Sequence, residues 1–135
     1  MPWLGVAEWL SVVASLRRSE PPAPELLAAL DLNQILHHRL DALSLGQRRR
    51  VHIAAALVGD PWILVADEPT NGLDVQGVPA LLQLLDARRR KGHAALIATH
   101  DRAFADAVSN RRVRLEGGRL TPMASDVVGK GSSFS

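Results

Sequence analysis

A short apolar run that ends in two carboxylates constrains the fold of this chain more than any other stretch. Trp62 to Ala66 are five consecutive apolar residues, and Asp67, Glu68 and Pro69 follow them directly. A run of this length between two prolines is typical of a strand that is buried on both faces of a parallel sheet. Ligands bind outside the carboxyl ends of such strands, so we expect polar chemistry here. Asp67 and Glu68 should point to opposite sides, so they need not act alike: one can hold a metal and the other can orient a water. The alternative is that they only begin a turn.

A second apolar run, Ala94–Ala98, predicts the neighbouring strand. The segment before it predicts a helix from about Pro79 to Gly92, whose basic end, Arg88–Lys91, should complement the negative pole of the helix dipole. A strand, a helix and a strand in this order predict a parallel βαβ unit. His100 follows the second strand and is expected at the same edge as the carboxylates, although a lone histidine there is more often structural.

A capping box marks the start of another helix. Ser44 precedes Gln47 by three residues, and Gly59 supplies the stop. The N-terminus of a helix combines free backbone N–H groups with the positive end of the dipole, so it can bind an anion. On these residues alone, an ordinary well-capped amphipathic helix is the simpler interpretation. The arginines at 48–50 either solvate an exposed turn, which we expect, or face something acidic.

The remaining segments predict helices before this point and a hairpin after it. The predicted elements are a helix over Trp3–Leu16, helices over Pro24–Asp31 and Asn33–Leu40, a β-hairpin turning at Gly117–Gly118, and a disordered tail over 123–135. The first helix should pack on the chain's own core or, as the alternative, in a partner's groove. Adjacent His37 and His38 lack an acidic or histidine partner at ligand spacing, so we interpret them as surface or packing residues. The predicted fold class is α/β, with parallel strands and flanking helices.

Composition narrows the possible classes of protein. The 135 residues suffice for one domain, and the balance of 47% hydrophobic and 22% charged residues is that of a globular protein. The absence of cysteine excludes disulfides and thiolate metal sites and suits a reducing compartment. Neither a membrane helix nor a signal peptide is expected from the N-terminal pattern.

Three motifs together resemble one protein family. The thirteen residues Trp62–Asp74 resemble the Walker B and D-loop region of ATP-binding cassette (ABC) ATPases, where an apolar run, Asp-Glu-Pro-Thr and Leu-Asp are tightly spaced. Leu43–Gln47 resembles the signature motif of the family, with Leu45 where glycine is commonest. Because glycine permits close backbone approach to a ligand, this leucine bears on how tightly nucleotide is contacted. His100 resembles the switch histidine.

The resemblance implies an ATP site that two subunits form together, packed head to tail. It implies that Asp67 binds Mg²⁺ through water, that Glu68 polarises the attacking water as general base, and that His100 contacts the γ-phosphate. The residues implied to contact ATP held by the opposite subunit, or to lie in the loop joining the two sites, are Ser44, Gly46, Gln47 and Asp74.

One required motif does not occur in the sequence. An ATPase of this kind needs a phosphate loop, Gly-x-x-x-x-Gly-Lys-Ser/Thr, whose backbone and lysine hold the phosphates. The chain has two lysines: Lys91 follows an arginine at a helix end, and Lys130 is followed by Gly131 where a hydroxyl residue is needed. The glutamine loop of the family is also absent, so the resemblance covers only the second part of an ABC domain, residues 4–120.

These motifs predict the C-terminal portion of an ABC-transporter ATPase, unable to hydrolyse ATP alone. The expected division is 1–46 as the end of the helical subdomain and 47–122 as the C-terminal part of the ATPase core. The expected partners are a transmembrane permease and a second ABC subunit, with the chain on the cytoplasmic face of the cell membrane. Two alternatives stay open: a non-catalytic module that pairs with a complete cassette, and a fragment of a soluble translation-factor ATPase. Nucleic acid is not an expected partner.

Overall fold

The computed structural model describes residues 3–123, in which helices flank a pair of parallel strands and a hairpin follows. The proposed tail at 123–135 lies outside the described residues except for Met123. The helices are α1 (Val6–Arg17), α2 (Pro24–Ala29), α3 (Leu45–Leu57), α4 (Gly77–Arg90) and α5 (Arg102–Val108), with 3₁₀ turns at Asn33–Ile35 and Leu40–Ala42. The strands are β1 (Ile63–Asp67), β2 (Ala94–Ala98), β3 (Val113–Glu116) and β4 (Arg119–Pro122).

The parallel βαβ unit predicted from the two apolar runs is present. β1 and β2 pair in parallel, with Asp67 opposite Ala98 at their carboxyl ends, and α4 connects them. The α/β fold class is therefore confirmed. The shared register places the residues that follow each strand, Glu68 and Thr99, at the same edge of the sheet.

The prediction that β1 is buried on both faces is wrong, and β2 is largely exposed as well. Leu64 is buried and belongs to the main hydrophobic cluster. On the opposite face, by contrast, Ile63 is 63% exposed, Val65 is 71% exposed and Leu96 is 64% exposed. A parallel sheet is normally covered on both faces, and within residues 3–123 the apolar core packs against only one of them.

The N-terminal helix packs on the chain's own core, as the first of the two alternatives expected. Val6, Leu10 and Ala14 recur at helical spacing and are buried. The helix begins at Val6 and not at Trp3, because the Glu8 side chain accepts a hydrogen bond from the N–H of Gly5 and fixes the start there. At the other end Arg17 donates to the carbonyls of Ala56 and Val58, so α1 is joined to the end of α3.

The segment between α1 and α3 is less helical than its sequence predicted. α2 ends at Ala29, and the proposed helix over Asn33–Leu40 is reduced to a 3₁₀ turn at Asn33–Ile35. The carbonyls of Leu36 and His38 accept hydrogen bonds from the first N–H groups of α1 and so are not available to a continuing helix. His37 and His38 are exposed, and residues 3–123 contain no group of three metal-binding side chains.

The interpretation of Arg88 as a cation complementing the end of α4 is incomplete. Its side chain is 9% exposed, and its guanidinium pairs with the carboxylate of Asp60 at 2.5 Å and donates to the Pro61 carbonyl. Arg89 and Arg90, which are exposed, both pair with Asp86 one turn earlier. Arg88 therefore fastens α4 to the loop that leads into β1.

The predicted hairpin is present at the end of the described chain. β3 and β4 pair antiparallel, and Gly117 and Gly118 turn between them with φ of +55° and +76°. Two successive positive φ values are the requirement of a type I′ turn, which glycine meets without a steric penalty. Among the described helices, none combines the length and the apolarity needed to cross a bilayer.

Candidate functional site

The site is organised by the turn that follows β1. The N–H of Glu68 donates to the carbonyl of Ala98 at 2.8 Å, which extends the β1–β2 ladder by one bond. Glu68 then adopts a φ of +44°, in the left-handed region, and its own carbonyl accepts from the N–H of Asn71 at 3.1 Å. A left-handed conformation costs a residue with a Cβ about 1–2 kcal/mol, so neighbouring contacts must hold Glu68 in it.

The Glu68 carboxylate contacts residues at the end of the adjacent strand. One oxygen, Oε1, lies 2.6 Å from Nδ1 of His100 and accepts from the His100 backbone N–H at 3.0 Å. The other, Oε2, accepts from the Thr99 hydroxyl at 3.1 Å. The sequence-based expectation that His100 and the carboxylates share one edge is thus met by Glu68 directly. Asp67 is exposed at the same edge.

These contacts change the proton affinity of both partners. The hydrogen bond from His100 lowers the pKa of Glu68 and outweighs desolvation, which acts in the opposite direction; Thr99 and the His100 backbone N–H lower this pKa further. The same contact raises the pKa of His100. At neutral pH Glu68 is therefore an ionised carboxylate, which accepts hydrogen bonds and can orient a water molecule.

The stabilisation from the Glu68–His100 contact is expected to be greatest at intermediate pH. Because folding raises the His100 pKa, its contribution is complete below the ordinary histidine value of 6.5 and is lost as pH rises through the raised value. Because folding lowers the Glu68 pKa, its contribution is complete above 4.5 and is lost as pH falls through the lowered value. The urea midpoints of the wild type and His100→Gln should therefore differ most between these two values. His37→Gln, at an exposed position, is the control, and a pH-independent difference would contradict the assignment.

The predicted capping box opens α3. The N–H of Gln47 donates to Oγ of Ser44 at 3.2 Å, and the N–H of Ser44 donates to Oε1 of Gln47 at 3.0 Å. Both side chains are partly or fully exposed at this helix end. The reciprocal bonds fix the direction in which the first turn of α3 presents its backbone N–H groups.

The start of α3 also packs against the loop after β1. A Cβ built on Gly46 would lie 3.0 Å from the carbonyl oxygen of Gly72, so glycine permits this close approach. Leu45, the departure from the signature pattern, is 72% exposed, and its side chain lies over Gly72, 2.9 Å from the position a Cβ there would take. Asp74 accepts from the N–H of Gly77 at 2.8 Å and caps the start of α4. Ser44, Gly46, Gln47 and Asp74 therefore form a second cluster beside that of Glu68 and His100.

Arg49 and Arg50 join the two clusters, contrary to the expectation that they solvate an exposed turn. Arg49 donates to backbone carbonyls in the turn after β1. Arg50, whose side chain is 12% exposed, pairs with Asp74 at 2.8 Å and with Asp31 at 3.1 Å. One feature of the sequence indicated such contacts: three cations at the positive end of a helix need acceptors nearby to offset the unfavourable interaction with the dipole. It could not show that the acceptors of Arg49 are main-chain groups.

Comparison with known proteins decides the family. The family model described as ABC transporter matches residues 6–71. The macrolide export ATP-binding/permease protein MacB of Wolinella succinogenes is 38% identical over 115 residues, which are 85% of this chain and 18% of that protein. The ATP-binding subunit of an ABC transporter superposes with a TM-score of 0.82 at 28% identity, covering 89% of this chain and 52% of that one. The chain belongs to the ABC ATPases.

A second solved ABC ATPase is similar over the same part of the chain. It is an ATP-binding cassette in a dimeric, post-hydrolysis state bound to ADP and Pi, with a TM-score of 0.74 and 28% identity. The alignment covers 90% of this chain and 58% of that one. The present chain thus spans about half the length of these two ABC structures and less than a fifth of the MacB relative.

ABC ATPases as a family bind ATP and Mg²⁺, and the donor types of this site fit that pair in part. The exposed carboxylate of Asp67 offers the oxygen ligand that Mg²⁺ prefers. The capped N-terminus of α3 offers backbone N–H groups suited to phosphate. A phosphate-loop lysine, the third feature of such a site, is absent from the 135 residues. The described residues therefore offer a ligand for Mg²⁺ and N–H groups for a phosphate, but not the lysine that would hold the rest of the triphosphate.

Proposed function

We propose that this chain provides the catalytic-carboxylate and signature elements of an ABC-transporter ATPase and depends on a polypeptide with a phosphate loop for hydrolysis. The observation that carries the proposal is the 2.6 Å contact between Glu68 and His100 at the carboxyl edge of β1 and β2. It is supported by the second cluster at the start of α3, which is joined to the loop after β1 through Arg50 and Asp74.

Asp67, Glu68 and His100 form the first cluster, and the position of each supports a role in the proposal. Asp67 would hold Mg²⁺, which supplies charge neutralisation at the phosphates. Glu68, kept ionised by its neighbours, would orient and polarise the attacking water more than it would bind the proton, since its lowered pKa makes it a weak base. His100, whose Nδ1 is engaged by Glu68, would reach the γ-phosphate with its other ring nitrogen, Nε2.

The second cluster would act on nucleotide held by another subunit. Ser44, Gly46 and Gln47 lie at the N-terminal end of α3, where the dipole and N–H groups favour a phosphate. Asp74 caps α4 and pairs with Arg50, so a movement at the signature turn would be transmitted to the loop after β1. The proposed division of labour places the helical-subdomain remainder at 1–46 and the ATPase core at 47–122.

The transporter context is proposed from the relatives. The MacB relative is named as an ATP-binding/permease protein, and one solved neighbour is dimeric. We infer a membrane permease and a second ABC subunit as partners, and a position on the cytoplasmic face of the membrane. The alternative is a non-catalytic module that lends its signature residues to a complete cassette.

A hydrolysis assay tests dependence on a second polypeptide. The purified 135-residue chain with ATP and Mg²⁺ is expected to give no hydrolysis above background, since its sequence contains no phosphate loop with the lysine that holds the phosphates. Addition of a polypeptide carrying a phosphate loop and its preceding strand should produce phosphate release. Hydrolysis by the chain alone that disappears in Glu68→Gln would contradict the proposal.

A second arm separates the alternative reading. A complete cassette whose own signature serine is replaced by alanine should have little activity by itself. If the wild-type chain restores hydrolysis to it and Ser44→Ala does not, the chain acts as a module lending its signature residues. If the wild-type chain gives hydrolysis with the phosphate-loop polypeptide but not with this cassette, the first proposal is supported.

A further inference from the structure

Arg49 binds the main chain at the point where Glu68 takes its unusual conformation. Its Nη2 donates to the carbonyl of Asp67 at 2.8 Å and to that of Glu68 at 2.5 Å, and its Nε lies 3.4 Å from the carbonyl of Pro69. One guanidinium therefore contacts three consecutive carbonyls, and the middle one belongs to the residue with a φ of +44°.

The physical reason for this arrangement lies in the direction of the turn. The left-handed conformation of Glu68 turns its carbonyl away from the ladder, and the carbonyl accepts instead from the N–H of Asn71 and from the Arg49 guanidinium. The planar fork of arginine presents several donors in fixed directions and can span neighbouring acceptors, which an ammonium group cannot do equally well. The contacts of Arg49 thus offset the unfavourable backbone conformation and fix the angle at which the carboxylate leaves the main chain.

We propose that Arg49 is the positioning residue for Glu68, holding the turn after β1 so that the carboxylate meets His100. The part of this statement that concerns catalysis rests on the proposed function. The geometric part stands without it. Arg49 touches neither the Glu68 carboxylate nor His100, so its influence passes through the backbone.

Imidazole nitrogen resonances test the proposal at one fixed near-neutral pH and without nucleotide. The ring ¹⁵N shifts of His100 report whether Nδ1 remains engaged with Glu68, and Glu68→Gln gives the shifts of the disturbed contact. We expect Arg49→Gln to move the His100 signals most of the way to those of Glu68→Gln. Arg48→Gln, at an exposed neighbouring position, should leave them at the wild-type values.

His93 serves as the internal reference for an intact fold. It lies at the other end of the βαβ unit, with its ring 5.5 Å from that of Trp62. Unchanged His93 signals together with shifted His100 signals support positioning, whereas unchanged His100 signals in folded Arg49→Gln overturn it.

If Arg49→Gln fails to fold, Arg49→Lys decides the question. Lysine keeps the charge but loses the fork, so we expect folded Arg49→Lys to show His100 shifts between the wild-type and Glu68→Gln values. Wild-type His100 shifts in that variant overturn the proposal. The experiment contains no nucleotide, so a result against the role of Arg49 does not affect the proposed ATP hydrolysis. In the same way, a failure of the hydrolysis assay does not affect the role of Arg49.

Discussion

Glu68→Gln should lower phosphate release by about 10²–10⁴-fold in the mixture of this chain with a phosphate-loop polypeptide. The amide has nearly the shape of the carboxylate and can still accept from the Thr99 hydroxyl. It carries no negative charge, so it polarises the attacking water far less. Steady-state release of phosphate from MgATP, measured at saturating nucleotide, gives the ratio.

The matched control is Glu116→Gln, the same chemical change at an exposed position on β3. It should leave phosphate release unchanged within error. A Glu68→Gln mixture that turns over as fast as wild type would show that the Glu68 carboxylate is not the group that activates water. Nucleotide binding is measured by retention on a filter. If Glu68→Gln still binds nucleotide, the loss of activity lies in the chemical step.

Arg88→Ala is expected to lower the free energy of unfolding by about 1–3 kcal/mol. The guanidinium is nearly buried and serves two acceptors, the Asp60 carboxylate and the Pro61 carbonyl. Its removal leaves the carbonyl without this donor and opens a space between α4 and the entry to β1. Urea denaturation followed by tryptophan fluorescence measures the change, since Trp62 follows Pro61 directly.

Arg90→Ala separates the effect of burial from that of charge. Arg90 is 76% exposed and pairs with Asp86 along the same helix, and a solvent-exposed pair of this kind contributes little to stability. Its replacement removes the same charge from the same turn of α4. Equal destabilisation by the two variants would contradict the role of Arg88 as the anchor of the loop.

Features encoded by neighbours in sequence were predictable. The capping box needs only Ser44 and Gln47 three positions apart, and the hairpin needs only Gly117 and Gly118 between two alternating segments. The βαβ unit followed from two apolar runs with a helix between them, and with it the approach of His100 to Glu68. In each case a local pattern and a general rule of chain topology suffice.

Features that depend on distant acceptors were not predictable. Arg49 and Arg88 bind carbonyls 18 to 27 positions away in sequence, and main-chain groups leave no mark in the residue pattern. The helix proposed over Asn33–Leu40 failed for the same reason, because the carbonyl of Leu36 and the N–H of Leu40, which would pair within it, bond instead to Ala7 and Leu4. Burial of the sheet was overestimated because the sequence of an apolar strand is the same whether other elements pack on one face of the sheet or on both.

The outer face of β1 and β2 ties the stability of this chain to its surroundings. On that face the side chains of Ile63, Val65 and Leu96 are exposed. Covering them would contribute about 25 cal/mol of stabilisation for each square ångström of apolar surface removed from water. A molecule that covers this surface and does not bind the unfolded chain draws the equilibrium toward the native form by mass action. The melting temperature of the chain consequently rises with the concentration of any such molecule in the solution.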